Sequence, residues 1–489
     1  MGSWLSVLTL LALAACLPRN ELAGELACEE LRWQGPPQRV SLVLLVGDTV
    51  RRDRLGAYGG AARTPAFDAF AARGLRFERA FSQAPWTKPS IATLFTSTFP
   101  SQHGLASDPQ LRALGRPGGD ALTVDRLSSG FDTLAEVLSR AGYRTGAFVG
   151  NPWMEARFGF SQGFEEYDDS FASWDVSGEV VSRSALAWLE GIPRDRPFFL
   201  YVHYMDAHRP YPGLSRVELE AYARSESKRP LSPRALESLK ASPVRLEGGR
   251  SVTKAGFPLT LELFDLVYNK GVEQFDQALG VFLDGFEKLP GADSTALMVV
   301  SDHGEALYER GYGSHGKHLH DEEIAIPMAW RLPGVSSESD RVGCGVGLID
   351  VLPTLCEYLG VECPAQVFGR SLLPGQPGRG PPRDLVSEGV MHRPAQRTIR
   401  TRDYKLVYDP RGSQAHDPAG YSLYDLRNDP GERRDLLAGT SSDESRAIAE
   451  ELAARLRDSV ATFERPAPEP VLVPETTAER LRALGYADP

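Results

Sequence analysis

Val40-Ser41-Leu42-Val43-Leu44-Leu45-Val46 is an almost unbroken apolar run with no alternation of polar and apolar residues. A strand with one wet face alternates, so this run predicts a strand buried on both faces, which demands covering layers above and below it. Pro197-Phe198-Phe199-Leu200-Tyr201-Val202 and Thr295-Ala296-Leu297-Met298-Val299-Val300 have the same character, and Gly146-Ala147-Phe148-Val149 is a shorter version. Helices are expected between them. Thr64-Pro65 opens one that ends at Gly74, and Thr133 with Glu136 forms a capping box ahead of another that stops at Gly142. Val272, Phe275, Leu279, Phe282 and Phe286 recur every three or four residues, the mark of a helix with one apolar face. Strands alternating with helices predict an α/β fold, a large mostly parallel sheet flanked by helices. After Gly369 the pattern changes to short segments at 397–400 and 404–408, then a helix over 444–463, which suggests a smaller C-terminal α+β subdomain. A last helix is expected over 475–484, packed back on the body. The expected organisation is therefore 1–16 as a leader, 17–39 as a linker, 40–370 as the main domain, 371–465 as the subdomain and 466–489 as a tail. Polar stretches at 105–130 and 214–258 are too long for simple connectors and are read as substrate-side loops or disordered insertions.

The chain of 489 residues carries a net charge of -11, with no basic stripe, so nucleic acid is not an expected partner. Residues 5–15 form an apolar stretch too short to span a bilayer but of the length of a secretory signal core. Leu13-Ala14-Ala15-Cys16 resembles a bacterial lipobox, although no Lys or Arg precedes the apolar run. The expectation is an exported cell-envelope protein, a lipoprotein of the periplasm or cell surface, touching the membrane through a lipid anchor on Cys16. Cys28, Cys344, Cys356 and Cys363 match no zinc spacing; they are either bridged or buried thiols, with connectivity undetermined.

Ligands of open parallel sheets bind beyond the carboxyl ends of the strands. Asp48 follows the first buried run and Asp302-His303 follows the third. Carboxylate oxygens suit a hard divalent cation, and the imidazole extends the choice toward Mn or Zn without excluding Ca or Mg. One divalent cation is therefore expected, of open identity. Thr87 lies in Ala84-Pro85-Trp86-Thr87-Lys88-Pro89-Ser90, ahead of a short helical run at 90–97. An ordinary threonine hydroxyl is a poor nucleophile, but coordination to a divalent cation stabilises its alkoxide. The amides and dipole of the following helix would favour a bound oxyanion. Asp48, Thr87, Asp302 and His303 thus form the expected metal set, with Thr87 also the nucleophile. Taken singly, each has a plainer role as a turn or cap residue. Their order along the chain is what groups them.

Asp48-Thr49-Val50-Arg51-Arg52-Asp53-Arg54-Leu55-Gly56-Ala57-Tyr58-Gly59 resembles the opening signature of the sulfatase branch of the alkaline phosphatase superfamily. Thr64-Pro65-Ala66-Phe67-Asp68, Ser301-Asp302-His303-Gly304-Glu305, Ile349-Asp350-Val351-Leu352-Pro353-Thr354-Leu355 and Leu423-Tyr424-Asp425-Leu426-Arg427-Asn428-Asp429-Pro430 match further family segments in the right order. The resemblance implies an alkaline-phosphatase-like fold, Asp48, Asp302 and His303 as metal ligands, and Thr87 as a nucleophile bound to the same ion. The segment 201–211 resembles the family's substrate-side histidine segment, which implies that His208 contacts the ester anion. His315 and Lys317, in Gly313-Ser314-His315-Gly316-Lys317, resemble the groups that hold the anion or assist the leaving oxygen.

One departure bears on the chemistry. Sulfatases of this family carry Cys-x-Pro-Ser-Arg or Ser-x-Pro-Ser-Arg, whose first residue is oxidised to formylglycine; this chain has Thr87-Lys88-Pro89-Ser90-Ile91. Threonine cannot become that aldehyde, whereas a phosphothreonine can be attacked in line by water or an acceptor alcohol. Family members with threonine here are phosphoethanolamine and phosphoglycerol transferases. The expected function is a metal-dependent hydrolase or transferase of an anionic ester, phosphoryl-type rather than sulfate. The alternatives are a sulfuric ester hydrolase working without formylglycine, on sulfated glycans or aryl sulfates, and an inactive binding lipoprotein.

Overall fold

The computed structural model describes residues 31–486 except 36–38, 109–110, 112–121, 174–175, 210–256 apart from 221 and 225, 375–382, 392–395, 411–419, 460–465 and 485. The leader at 1–16, most of the linker, much of the two polar stretches and the end of the tail lie outside the described residues.

Among the described residues, nine strands make the central sheet: β1 Leu42–Gly47, β2 Leu75–Phe81, β3 Arg144–Val149, β4 Glu166–Asp168, β5 Phe198–Tyr204, β6 Ala296–Ser301, β7 Ala325–Ile326, β8 Met328–Arg331 and β9 Arg341–Gly347. Their order is β7-β2-β8-β6-β1-β5-β3-β4, with β9 beside β2. β1 lies inside the sheet and pairs in parallel with β5 and β6; Leu45 faces Val202 on one side and Val299 on the other. The same register sets Gly47 level with Ser301, so the next residues, Asp48 and Asp302, leave the sheet side by side.

The sheet is mostly parallel, as expected, with two short antiparallel strands toward one side. β8 runs antiparallel between β2 and β6, and β7 is antiparallel to β2. Pro327 divides this stretch into segments of two and four residues, too short to leave a periodic pattern in the sequence.

Both faces of β1 are buried, as the unbroken apolar run requires. Leu42, Leu44 and Val46 share a core with Ile91 and Leu94 of α2 (Thr87–Thr96) and Leu355 of α6 (Val351–Leu359). Val43 and Leu45 pack with Phe67 and Phe70 of α1 (Pro65–Ala72), Val181 and Leu189 of α4 (Gly178–Gly191), and Val272, Phe275 and Leu279 of α5 (Phe257–Phe286). At about 1.5–3 kcal/mol for each fully buried aliphatic side chain, these layers supply much of what holds the sheet together. The capping box of α3 (Leu134–Arg140) is formed: the Glu136 amide donates to Thr133 Oγ1 and the Thr133 amide to Glu136 Oε2. Among the described residues, no helix is long and apolar enough to cross a membrane. Cys344 is disulfide-bonded, while Cys356 is a buried free thiol and Cys363 a half-buried one.

The C-terminal segments form a four-stranded antiparallel sheet, Leu385–Glu388, Arg397–Arg400, Tyr404–Tyr408 and Tyr421–Asp425, in sequential order. Ile448, Leu452 and Leu456 of α7 (Asp443–Ser459) cover it. A buried ionic cluster fastens this sheet to the main body. Lys405 Nζ, fully buried, lies 2.9 Å from Asp321 Oδ1 and 2.6 Å from Glu432 Oε1, and Arg400 Nη1 lies 2.7 Å from Asp321. Removing the central cation leaves two carboxylates short of charge in a dry place. Lys405→Met is expected to destabilise the protein by about 3–5 kcal/mol, read as a shift in the urea midpoint at neutral pH.

Candidate active site

The sheet's carboxyl edge delivers the expected side chains to one place. Asp48 follows β1, Asp302 and His303 follow β6, and Thr87 opens α2; all four are fully buried. Thr87 lies within the helix, with Trp86 as its cap, rather than ahead of it. The Ser90 amide is consequently spent on the Trp86 carbonyl at 3.3 Å, which leaves the amides of Thr87 and Lys88 as the donors of the first turn. Lys88 itself is turned away into a buried pair with Asp108, Nζ to Oδ2 2.5 Å.

Thr87 Oγ1 is the focus. It lies 3.3 Å from Asp48 Oδ2, 3.3 Å from His303 Nε2, 3.2 Å from Asn151 Nδ2 and 3.4 Å from the Tyr486 hydroxyl. Asn151 also donates to Asp48 Oδ2 at 2.6 Å, and its own Oδ1 accepts from the Trp153 amide, which fixes the direction of the amide group. His203 Nε2 is 3.0 Å from Asp48 Oδ2, and its Nδ1 meets the Tyr201 hydroxyl at 2.8 Å. His303 Nδ1–H donates to the Gly304 carbonyl at 2.8 Å, so the lone pair on Nε2 faces the cluster, the tautomer a metal ligand needs.

Asp48, Asp302 and His303 can place one ligand atom each within 4.8 Å of one another. Asp48 Oδ1 and Asp302 Oδ2 are buried and have no hydrogen-bond partner among the described residues, a costly state for carboxylates. Burial opposes ionisation of Asp48, yet the His203 hydrogen bond and nearby imidazoles hold it below the usual carboxylate range. Burial and the Asp48 charge push Asp302 well above that range. Two carboxylates this close cannot both ionise unaided, and a cation between them removes the conflict. The orphaned oxygens, the tautomer of His303 and the oxygen-plus-imidazole donor set all fit a divalent ion.

The backbone at the site is held under strain. Thr49 has a φ of 58°, a conformation worth about 1–3 kcal/mol of strain in a β-branched residue. Its amide donates to Asp302 Oδ1 at 3.2 Å, its carbonyl accepts from the Tyr268 hydroxyl at 2.6 Å, and the Val50 amide donates to Ser301 Oγ at 3.0 Å.

His208 and His315 stand beside this cluster, their ring centroids 5.0 Å apart, with His315 4.6 Å from His303. Burial lowers His208 to about 4 and His315 to about 3, so both are neutral imidazoles. His208 Nδ1–H donates to the Arg209 carbonyl, leaving a buried Nε2 with no hydrogen-bond partner among the described residues. His315 Nδ1 is 2.6 Å from Glu305 Oε2. Lys317 is half-buried, and its charge helps keep His315 neutral. Thr87, Asp48, Asp302, His303, His208 and His315 are thus brought together, and the charge of Lys317 bears on His315.

Three neighbours were missed from the sequence. Asn151 lies just past β3, at the same edge as Asp48, and strand-end position alone could have flagged it. His203 is hidden inside the apolar run of β5. Tyr486 comes from the far end of the chain, 399 residues from Thr87, and nothing local marks it.

The turn that carries His208 is anchored by Asp206, whose Oδ1 accepts from the Gly178 amide at 2.9 Å while Oδ2 is buried with no hydrogen-bond partner among the described residues. Burial raises Asp206 from 3.8 to about 7. The folded state therefore holds a proton that the unfolded chain releases near 3.8, so stability falls as pH rises from about 4 to 7 and is level above. Asp206→Asn keeps the acceptor and loses the charge. Its stability gain over wild type should grow across that window to on the order of 2–4 kcal/mol at about pH 8, measured by urea melts at several pH values.

Comparison with known proteins agrees with this geometry. The family model described as Sulfatase matches residues 41–361, and one described as N-sulphoglucosamine sulphohydrolase, C-terminal, matches residues 311–462. The Delta 4,5-hexuronate-2-O-sulfatase of Bacteroides thetaiotaomicron is 22% identical over 464 residues, covering 86% of this chain and 90% of that protein. The solved structure of BT4656 in complex with its substrate D-glucosamine-2-N,6-O-disulfate superposes with a TM-score of 0.66 at 18% identity, covering 86% of this chain and 99% of that one. The phosphonate monoester hydrolase of Agrobacterium radiobacter gives 0.63 at 20% identity, covering 86% and 95%. With two thirds of its length matched by the family model and a sheet edge built as described, the chain belongs to the sulfatase family of the alkaline phosphatase superfamily and is a hydrolase of that superfamily.

Proposed function

We propose that this protein is a metal-dependent hydrolase or transferase of phosphoryl-type esters that works through a covalent Thr87 ester. The observation that carries the proposal is the placement of Thr87 Oγ1, buried at a helix N-terminus within 3.4 Å of Asp48, His303, Asn151 and Tyr486. Asp48, Asp302, His303 and Thr87 would hold one divalent cation, Ca, Mn, Mg or Zn, whose charge would make the hydroxyl acidic and steady an ester oxygen.

The chain's own groups account for the remaining steps. Asn151 and Asp48 orient Thr87 Oγ1, whose bond to phosphorus forms as the bond from phosphorus to the leaving oxygen breaks. His208 and His315 surround the space where the leaving oxygen departs, and the proton given up by Thr87 passes through the unprotonated Nε2 of His208 to that oxygen. The Nε2 of His208 then accepts a proton from water or an acceptor alcohol as that oxygen attacks phosphorus, and passes it to Thr87 Oγ1 as the bond from Oγ1 to phosphorus breaks. Lys317 adds positive charge behind His315.

A second reading, hydrolysis of sulfate esters on glycans without formylglycine, is favoured by the relatives, which are named as a hexuronate sulfatase and an enzyme bound to a sulfated glucosamine. Threonine weighs against it, because a sulfothreonine has no carbonyl collapse by which to expel sulfate. The apolar stretch at 5–15 and Cys16 support an exported envelope protein with a lipid anchor.

Intact mass spectrometry after incubation with aryl phosphate mono- and diesters is expected to find an adduct that Thr87→Ala lacks, with turnover of the phosphoryl esters exceeding that of an aryl sulfate. Sulfate turnover that survives Thr87→Ala would rule out the covalent route. Addition of Mn²⁺ or Zn²⁺ to chelator-stripped protein is expected to raise its melting temperature, and Asp302→Asn to weaken the ion's binding by at least about tenfold in calorimetry. Equal binding by the two proteins would exclude Asp302 as a ligand.

A further inference from the structure

The tail does more than pack against the body. Glu469–Leu472 pairs antiparallel with Thr123–Arg126, and α8 (Glu475–Ala483) follows. Thr477 Oγ1 lies 2.9 Å from Glu155 Oε2 and Arg480 Nη1 3.1 Å from Glu155 Oε1. Glu155 ends the short segment Asn151-Pro152-Trp153-Met154, so the tail is clamped to the piece of chain that presents Asn151 to the site. Leu481 and Leu484 are buried in the main core. Beyond them, Tyr486 is 1% exposed. Its ring stacks on His208 with centroids 6.0 Å apart and planes 27° apart, and meets Trp153 edge-on at 5.5 Å and His315 at 5.6 Å. Its hydroxyl ends 3.4 Å from Thr87 Oγ1.

We propose that Tyr486, delivered by the C-terminal tail, is a catalytic residue: its hydroxyl touches the reacting Thr87 oxygen and donates a hydrogen bond to the anion held there. The phenol is rigidly placed by three aromatic neighbours, and a donor fixed before the reaction loses nothing to reorganisation as negative charge builds on the transferring group. A tyrosine suits the place because it brings a neutral donor into a cluster already crowded with carboxylates. The ring also separates His208 from Trp153, so the same side chain shapes the wall of the anion pocket.

The proposal rests on Thr87 as nucleophile, and its test reads more than turnover. Tyr486→Phe keeps the ring contacts and removes one oxygen. In metal-loaded full-length protein it is expected to lower kcat about 10²-fold with KM changed less than about threefold, and to weaken orthovanadate binding at least about tenfold in calorimetry, with the melting temperature unchanged. Thr477→Ala, which loosens the clamp and leaves Tyr486 intact, should show a smaller loss of the same kind. Wild-type kcat and vanadate affinity in Tyr486→Phe would overturn the proposal. So would faster turnover in that variant, which would make the tail a plug instead of a contributor. A wild-type protein that turns over no ester and binds no vanadate would defeat the Thr87 assignment, and this one with it.

Discussion

Two carboxylates emerge from neighbouring parallel strands and are buried against each other, and most of the site is a response to that fact. Asp48 and Asp302 leave β1 and β6 at the same level because the register aligns Gly47 with Ser301. Neither has all its oxygens satisfied. Such a pair is tolerable where imidazoles and amides favour one ionised member and a cation can serve both. His203, Asn151 and the inward-facing Nε2 of His303 supply the first part. Thr87 then stands where an ion shared by the pair would also reach its oxygen.

The sheet makes this arrangement affordable. A chain turn with a positive φ at Thr49 and two unsatisfied carboxylate oxygens would unfold a small domain, but here they are set against apolar layers on both faces of nine strands. Tyr268, from the long helix α5, ties the strained turn to the far layer through its hydroxyl. Packing and chemistry therefore share residues: the helix that covers β1 also holds the loop that follows it.

What could be read from the sequence followed from how local its cause is. Strands buried on both faces are written as unbroken apolar runs, and their ends pointed to Asp48 and Asp302. The capping box at Thr133 and the apolar stripe of α5 were equally local, and both appear as expected. The two antiparallel strands β7 and β8 escaped notice because Pro327 leaves only short fragments around it. His203 was masked by the apolar strand that contains it, and Asn151 by its ordinary resemblance to a turn residue. Tyr486 depends on the docking of a helix against Glu155, a tertiary event with no local trace. The family resemblance indicated His208 and His315 but not the neutral state that burial imposes on them.

The span of the cluster, from Asp48 to Tyr486, has a bearing on biogenesis. Synthesised from the amino end, the polypeptide can complete the sheet's early strands, with Asp48 in place, while the tyrosine is still absent. The pocket is thus completed only when residues 469–486 dock, after the strands that bear Asp48 and Asp302, and loosening that docking would open it while the sheet stays intact.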